Sequence, residues 1–247
     1  YAAPAAIPAQ PLEITLPQQV EGTWPRLVMT VSQNAADTTQ PPVALVLLQN
    51  SPRDNYHVYY AITLVPNAQS PQLAPATIGA PRIPADSKLL KVQPNQLAVQ
   101  YADILNQDAA SSWIADYLAE GDTLREQLGK AGQDAIRAAL PANAAISFTA
   151  TPGSGPALAL ATNDAGAIVS VQVDQQRKIT PTDGGVVGFA EGSASAALSG
   201  FTAKSARGVQ STSGLQLLFY VPSVDSAEPV RLLGWTEGLI AASEIPG

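Results

Sequence analysis

Apolar positions alternate, or gather in short runs, along most of the chain, and this pattern predicts strands before anything else. Residues 12–16 (LEITL) alternate, residues 26–32 (RLVMTVS) follow Trp24-Pro25, and residues 43–49 (VALVLLQ) are continuously apolar. A run of that last kind marks a strand covered on both faces. Turn residues occupy 50–55 (NSPRDN). Residues 57–65 (HVYYAITLV) are β-branched and aromatic, so they are expected to pair antiparallel with 43–49, and Pro66 ends them.

Residues 66–94 concentrate prolines and lack periodicity. A stretch of this length without structure is uncommon inside a compact domain, so it reads as the linker between two units. Helical spacing follows. Leu97, Tyr101, Ile104 and Leu105 share one face of a helix over 95–107. Ser111-Ser112 is expected to cap a second, short helix carrying Trp113, Ile114, Tyr117 and Leu118. After Gly121, Thr123 and Glu126 form a candidate capping box, with Asp122 as the competing cap. The helix it opens is expected to run to about Leu140, with Leu124, Leu128, Ile136 and Leu140 inward, and to stop at Pro141.

The remainder reads as β. Residues 146–151 alternate; residues 157–162 and 167–180 flank the Asn163-Asp164-Ala165-Gly166 turn as a hairpin. Residues 181–213, rich in Gly, Ser and Ala, read as a long loop. Three strands, 215–221, 230–238 and 239–245, are expected to complete a meander. Their rhythm echoes 26–65 and suggests a weak structural repeat.

Composition narrows the classes. The apolar fraction of 46% across 247 residues supplies a core, which argues against disorder of the whole. Charged residues make up only 13%, against about 25% in ordinary domains. The net charge is −7 and the 13 Lys and Arg are scattered. Nucleic acid is bound chiefly through its phosphates, so it is not an expected partner, and direct attraction to anionic lipid is disfavoured too. No cysteine is present, which removes disulfides, thiolate nucleophiles and zinc–thiolate sites. No apolar run is long enough to span a membrane as a helix. The first residue is Tyr1 rather than Met, so a processed chain is expected, with any leader or anchor upstream.

Three stretches carry a family resemblance: EITLPQQVEGTWPRLVMTVSQ, VALVLLQN, and VQPNQLAVQYADILNQ followed by SSWIADYLAEGDTLREQL. Together they resemble an uncharacterised family of actinobacterial cell-envelope lipoproteins. That family's pattern is a Pro-containing strand entry, two strands, a Pro-rich stretch, a Y-A-D-x-L helix and a β-rich C-terminal half. Residues 101–105 (YADIL) match best and the C-terminal strands least. The resemblance implies export and surface anchoring, and no known activity. It also implies an α+β fold of helices on a curved antiparallel sheet, like nuclear transport factor 2 or cystatin, used twice. The helices expected before the first sheet are absent, so either they lie upstream or the central helices cover both sheets.

Candidate chemistry is sparse. His57 is the single histidine, at a turn-to-strand junction with no partner for nucleophilic catalysis. No G-x-S-x-G, S-x-x-K, calcium-loop or phosphate-loop pattern occurs. Asp116 and Glu120, at i and i+4, are expected on one helix face, more simply as a solvated acidic surface than as a glycosidase pair. Trp113, Tyr117, Phe219, Tyr220 and Trp235 are first of all core residues. As a sharper alternative, Tyr117, Phe219 and Trp235 line a ligand pocket in a helix–sheet cleft.

The sequence therefore predicts an α+β protein with two antiparallel sheet units and packed helices. It divides into an Ala/Pro-rich arm (1–11), a mainly β unit (12–80) and an α+β unit (81–247). No catalytic residue, metal or cofactor is expected. The expected role is a non-catalytic, extracytoplasmic envelope protein that binds a partner or organises the surface. The alternative is a small-molecule or lipid-binding module. Expected partners are a protein or an apolar small molecule at the cell surface, with the membrane reached only through an upstream anchor.

Overall fold

A computed structural model describes residues 11–16, 18, 24–33, 37, 39–66 and 68–247. The Ala/Pro-rich arm lies outside these residues except for Pro11, which begins β1. The order of strands and helices is β1 (Pro11–Thr15), β2 (Arg26–Ser32), β3 (Val43–Gln49), β4 (His57–Thr63), α1 (Pro94–Gln107), α2 (Thr123–Leu128), α3 (Lys130–Ala138), β5 (Ala144–Pro152), β6 (Leu158–Ala161), β7 (Ala167–Pro181), α4 (Ala194–Ser199), β8 (Val209–Val221) and β9 (Arg231–Glu244). The class is α+β, with two antiparallel sheets.

The first sheet is the simple meander β1-β2-β3-β4. Alternation puts Leu27 and Met29 of β2, Ala44, Val46 and Leu48 of β3, and Tyr60 and Ile62 of β4 on one face, all buried. Val43, Leu45 and Leu47 point the other way and are half-buried, so β3 is fully covered on one face only. The expected pairing of β3 with β4 is present, from Val43↔Thr63 to Leu48↔His57.

The second sheet centres on β7. One edge of β7 pairs with β8 over its length, and β8 pairs with β9. The other edge takes β5 and then β6, end to end, from Ala144↔Pro181 to Ala161↔Ala167. Both faces of this sheet are covered. Ile168, Leu218, Tyr220 and Leu233, with Leu158 and Leu160 of β6, pack against the inner face of the first sheet. Val169, Val171, Val173, Leu215, Leu217 and Phe219 pack against Leu97, Tyr101, Ile104, Leu105 and Leu124 of the helices. The layers are thus sheet, sheet, helix. The expectation of helices on both sheets is corrected: the first sheet is covered by the second, and among the described residues no helical side chain enters the core between them.

Residues 66–94 have little regular structure, yet they are tied down. Ala161 N–H donates to Pro81 O (2.8 Å) and Ile83 N–H to Ala159 O (3.0 Å), so this strap pairs with the free edge of β6. On its other side Ala80 N–H donates to Leu16 O (2.8 Å), next to β1. Across the molecule, Leu64 bridges Gly234, joining the end of β4 to β9. Hydrogen bonds therefore pass round a ring: β1, β2, β3, β4, β9, β8, β7, β6, residues 80–83, and back to β1. The sandwich is closed like a barrel, which leaves fewer open strand edges.

Several expectations needed correction. The helix over 95–107 forms one residue earlier, with Pro94 at its first turn, where its missing N–H costs nothing. The second helix is a single 3-10 turn, Ile114–Asp116, because Tyr117 turns extended and Leu118 N–H donates to Val230 O (2.9 Å). Asp116 and Glu120 therefore do not share a helix face. The helix expected to run to Leu140 is two, split at Gly129, where a Cβ would lie 2.3 Å from Arg125 O. Asp122 is the N-cap of α2, accepting from Arg125 N–H (2.9 Å), so the Thr123 box does not form. Residues 181–213 are not a featureless loop: they hold α4 and the start of β8. Residues 230–238 and 239–245 form one strand, since Gly238 stays paired with Gly214. Residues 26–65 hold three strands and residues 215–245 parts of two, so the two spans do not share a repeat.

Candidate binding groove

The strands that close the ring also leave an opening beside it. At the β4–β9 junction the backbones come so close that a Cβ on Gly234 would lie 2.6 Å from Thr63 O. Val65 N–H donates to Leu233 O (3.0 Å) and Leu64 N–H to Pro42 O (2.9 Å). Before that contact the strands diverge, and side chains fill the gap. Ala61 N–H donates to the Gln216 amide oxygen (2.8 Å) and Thr63 N–H to the Thr236 hydroxyl (2.9 Å). Beside this junction α2 stands off, and a groove of about 810 Å³ opens between it, β9 and the segment before β3. This lies within the usual ~300–1,000 Å³ of small-molecule sites.

Trp235 of β9 lines the groove and also packs against the helix-side core. Its indole N–H donates to Thr123 Oγ1 of α2 (2.9 Å), which fixes the ring's orientation. Gln127, one helical turn beyond Thr123, lies on the same wall and is exposed. Pro41, Pro42 and Pro66 form a stiff rim. Among the described lining residues there is no Lys or Arg, and the one carboxylate, Glu237, is paired with Arg177 (3.1 Å).

Of the three residues expected to line a pocket, only Trp235 does so. Tyr117 and Phe219 are buried with Tyr101 in an aromatic cluster, at centroid distances of 5.0 Å (Tyr101–Phe219), 5.9 Å (Tyr101–Tyr117) and 6.2 Å (Tyr117–Phe219). These rings fill the helix–sheet interface, so the open site lies at the sheet–sheet rim instead. Its other members, Thr123, Gln127 and Thr236, are polar residues whose only sequence signal is proximity to a capping site or to Trp235.

Next to Thr123 in the chain, Asp122 belongs to a buried polar pair. The Tyr101 hydroxyl donates to Asp122 Oδ1 (2.7 Å), and Asp122 is 2% exposed. Burial raises the Asp122 pKa above its ordinary value, against the pull of the Arg125 N–H and the Tyr101 hydroxyl. Burial also pushes the Tyr101 hydroxyl well above the usual phenol range, helped by the neighbouring carboxylate. Tyr101 is fully enclosed, so the pair anchors α2 to α1 rather than meeting solvent.

His57 is exposed at the start of β4. Among the described residues no cluster of three or more His, Asp or Glu is placed to hold a metal ion, and no helix is long and apolar enough to cross a membrane. No curated protein and no solved structure matches the chain. A family model does match, over residues 4–244: the chain belongs to DUF8094, a domain of unknown function.

Proposed function

We propose that the protein is a non-catalytic binding module of the cell envelope, and that it takes its ligand in the Trp235 groove. The observation that carries this is the groove itself. It is open and about 810 Å³ in volume, and Trp235, the large aromatic among its described lining residues, is locked by a hydrogen bond to α2. A ring held this way loses little conformational freedom when a ligand docks, which lowers the cost of binding. Among the described lining residues the one carboxylate, Glu237, is engaged by Arg177, and His57 lies outside the lining. The buried Asp122 does have a raised pKa, but it is spent on capping α2 and holding Tyr101.

Export and envelope attachment rest on the resemblance of the strand-entry and YADIL motifs to actinobacterial envelope lipoproteins. On the same reading, α1 laid across β5–β9 is the unit related to cystatin or nuclear transport factor 2. Cell fractionation of the source organism should find the protein outside the cytoplasm.

The groove is tested by titrating a ligand library into protein labelled at its indole nitrogens. A true ligand shifts the Trp235 N–H resonance selectively. Ligands that move only the Trp113 signal, from a ring 40% exposed elsewhere, would remove the groove as the site.

A further inference from the structure

Resting on the groove reading above, we infer that the ligand is a neutral, polyhydroxylated molecule: an uncharged oligosaccharide segment. Charge is the first argument. With no cation among the described lining residues and Glu237 neutralised by Arg177, nothing in the groove offsets the desolvation of an anionic or a cationic ligand. Hydrogen-bonding capacity is the second. Gln and Thr side chains both donate and accept, as sugar hydroxyls do. Thr123 accepts from the Trp235 indole, and its own hydroxyl proton has no acceptor among the described residues. The exposed Gln127 amide makes no hydrogen bond among them either. Two side chains spaced one helical turn apart on α2 thus present unspent donors beside the indole.

The ring supplies the third argument. A sugar has an apolar C–H face and a polar rim. An indole with its N–H already satisfied offers a flat apolar surface for that face. The alternative of an acyl chain fits poorly. A lipid chain gains by burying all of its surface against apolar walls, whereas this groove is open to solvent, and its apolar Pro, Leu, Val and Trp surface is interrupted by Thr and Gln.

The experiment uses the whole chain and four neutral hexasaccharides, built from β-linked glucose, α-linked glucose, mannose and galactose. A proline decamer and a C16 fatty acid serve as competing classes. Binding is followed by the Trp235 indole resonance and by calorimetry. At least one hexasaccharide is expected to bind saturably. Trp235→Ala should weaken it at least ~10-fold, and Gln127→Ala roughly 3-fold. Gln127 is exposed, so its variant should keep the wild-type melting temperature, and its result stands even if Trp235→Ala folds poorly. If the decamer or the fatty acid shifts Trp235 and no sugar does, the carbohydrate assignment is wrong and the groove remains. If none of the six moves Trp235, both fall.

Discussion

The two faces of the β5–β9 sheet are both buried but closed by different chemistry. On the helix side, three aromatic rings interlock, and polar groups are drawn in with them: Asp122 under Tyr101, and Gln133, whose amide donates to Leu105 O (3.2 Å) and Leu128 O (3.0 Å). On the sheet side the contact is mostly aliphatic: the buried Ser170 hydroxyl donates to Leu158 O (3.3 Å), and at the rim Gln216 and Thr236 stand in for missing strand neighbours. Interlocked rings leave no room at the helix face. The two sheets meet closely at the β4–β9 junction and part beside it, and the groove opens there. The opening thus follows from how the sheets meet rather than from a cleft beneath the helices.

The largest test of this contrast is Phe219→Ala. It removes the ring that touches both tyrosines, and large-to-small changes of this type cost about 3–5 kcal/mol. Urea unfolding should show a loss of that size, while the backbone amide signal of Leu64 at the β4–β9 junction stays near its wild-type position. A displaced Leu64 signal would mean that the two faces are not independent.

Next comes Gly234→Ala. The new methyl would meet Thr63 O at 2.6 Å and Leu64 Cα at 3.1 Å, both backbone, so the β4–β9 junction must part. Overpacking of this kind costs about 1–3 kcal/mol. Amide exchange should speed at Leu64 and Val65 and stay slow at Tyr101. Unchanged exchange at Leu64 would show that the junction does not hold the sheets together.

The smallest effect sharpens the contrast, because each face carries a Tyr–Asp pair. Tyr101 donates to the buried Asp122 on the helix side, and Tyr220 donates to the exposed Asp164 (2.9 Å) at the β6–β7 turn. Burial is the largest single influence at both carboxylates. At Asp122 it prevails and the pKa rises above 3.8. At Asp164 the bonds from Thr162, Tyr220 and Gly166 together outweigh it, and the pKa falls below 3.8. The signs follow from linkage. The Asp122 contribution is complete below pH 3.8 and is lost as pH rises through its folded pKa. That of Asp164 is present above pH 3.8 and is lost as pH falls through its folded pKa. Melting temperatures across the acid range should show Asp122→Asn and Asp164→Asn changing the pH slope in opposite senses. Slopes of the same sign would mean that burial does not separate the pairs.

How far these regions could be read from the sequence varies with the range of the forces involved. The bounds of strands β2 and β3 are legible to the residue, because short apolar runs and the turn residues that flank them are local signals, whereas the continuous apolar run of β3 hides that only one of its faces is fully covered. The inward face of α1 was equally plain. What failed depended on distant partners. Nothing local to 113–118 reveals that Leu118 will bond Val230, so a 3-10 turn read as a helix. Gly238 looked like a break, but its partner Gly214 keeps β9 continuous. Trp235 was legible as a candidate lining residue because large aromatics are few. Thr123 and Gln127 were not, since their facing β9 is a tertiary fact, and the same blindness placed Tyr117 and Phe219 in a pocket rather than in the core.

The closed ring of strands also sets an order of events. Its last link, Leu64 to Gly234, joins residues made far apart in time, and most of the cover for Leu27, Val46 and Ile62 comes from β6 to β9. At ~5–20 residues per second, roughly ten to thirty seconds of synthesis separate Ile62 from Leu233. Through that interval the early half exposes an apolar sheet face with little of its own to cover it. A chain truncated before β6 therefore has no finished unit to fall back on and is a client for any holding factor that binds open apolar strands. Only when β9 docks beside Leu64 does the surface that attracts such a factor disappear, so release from it is built into the final step of closure.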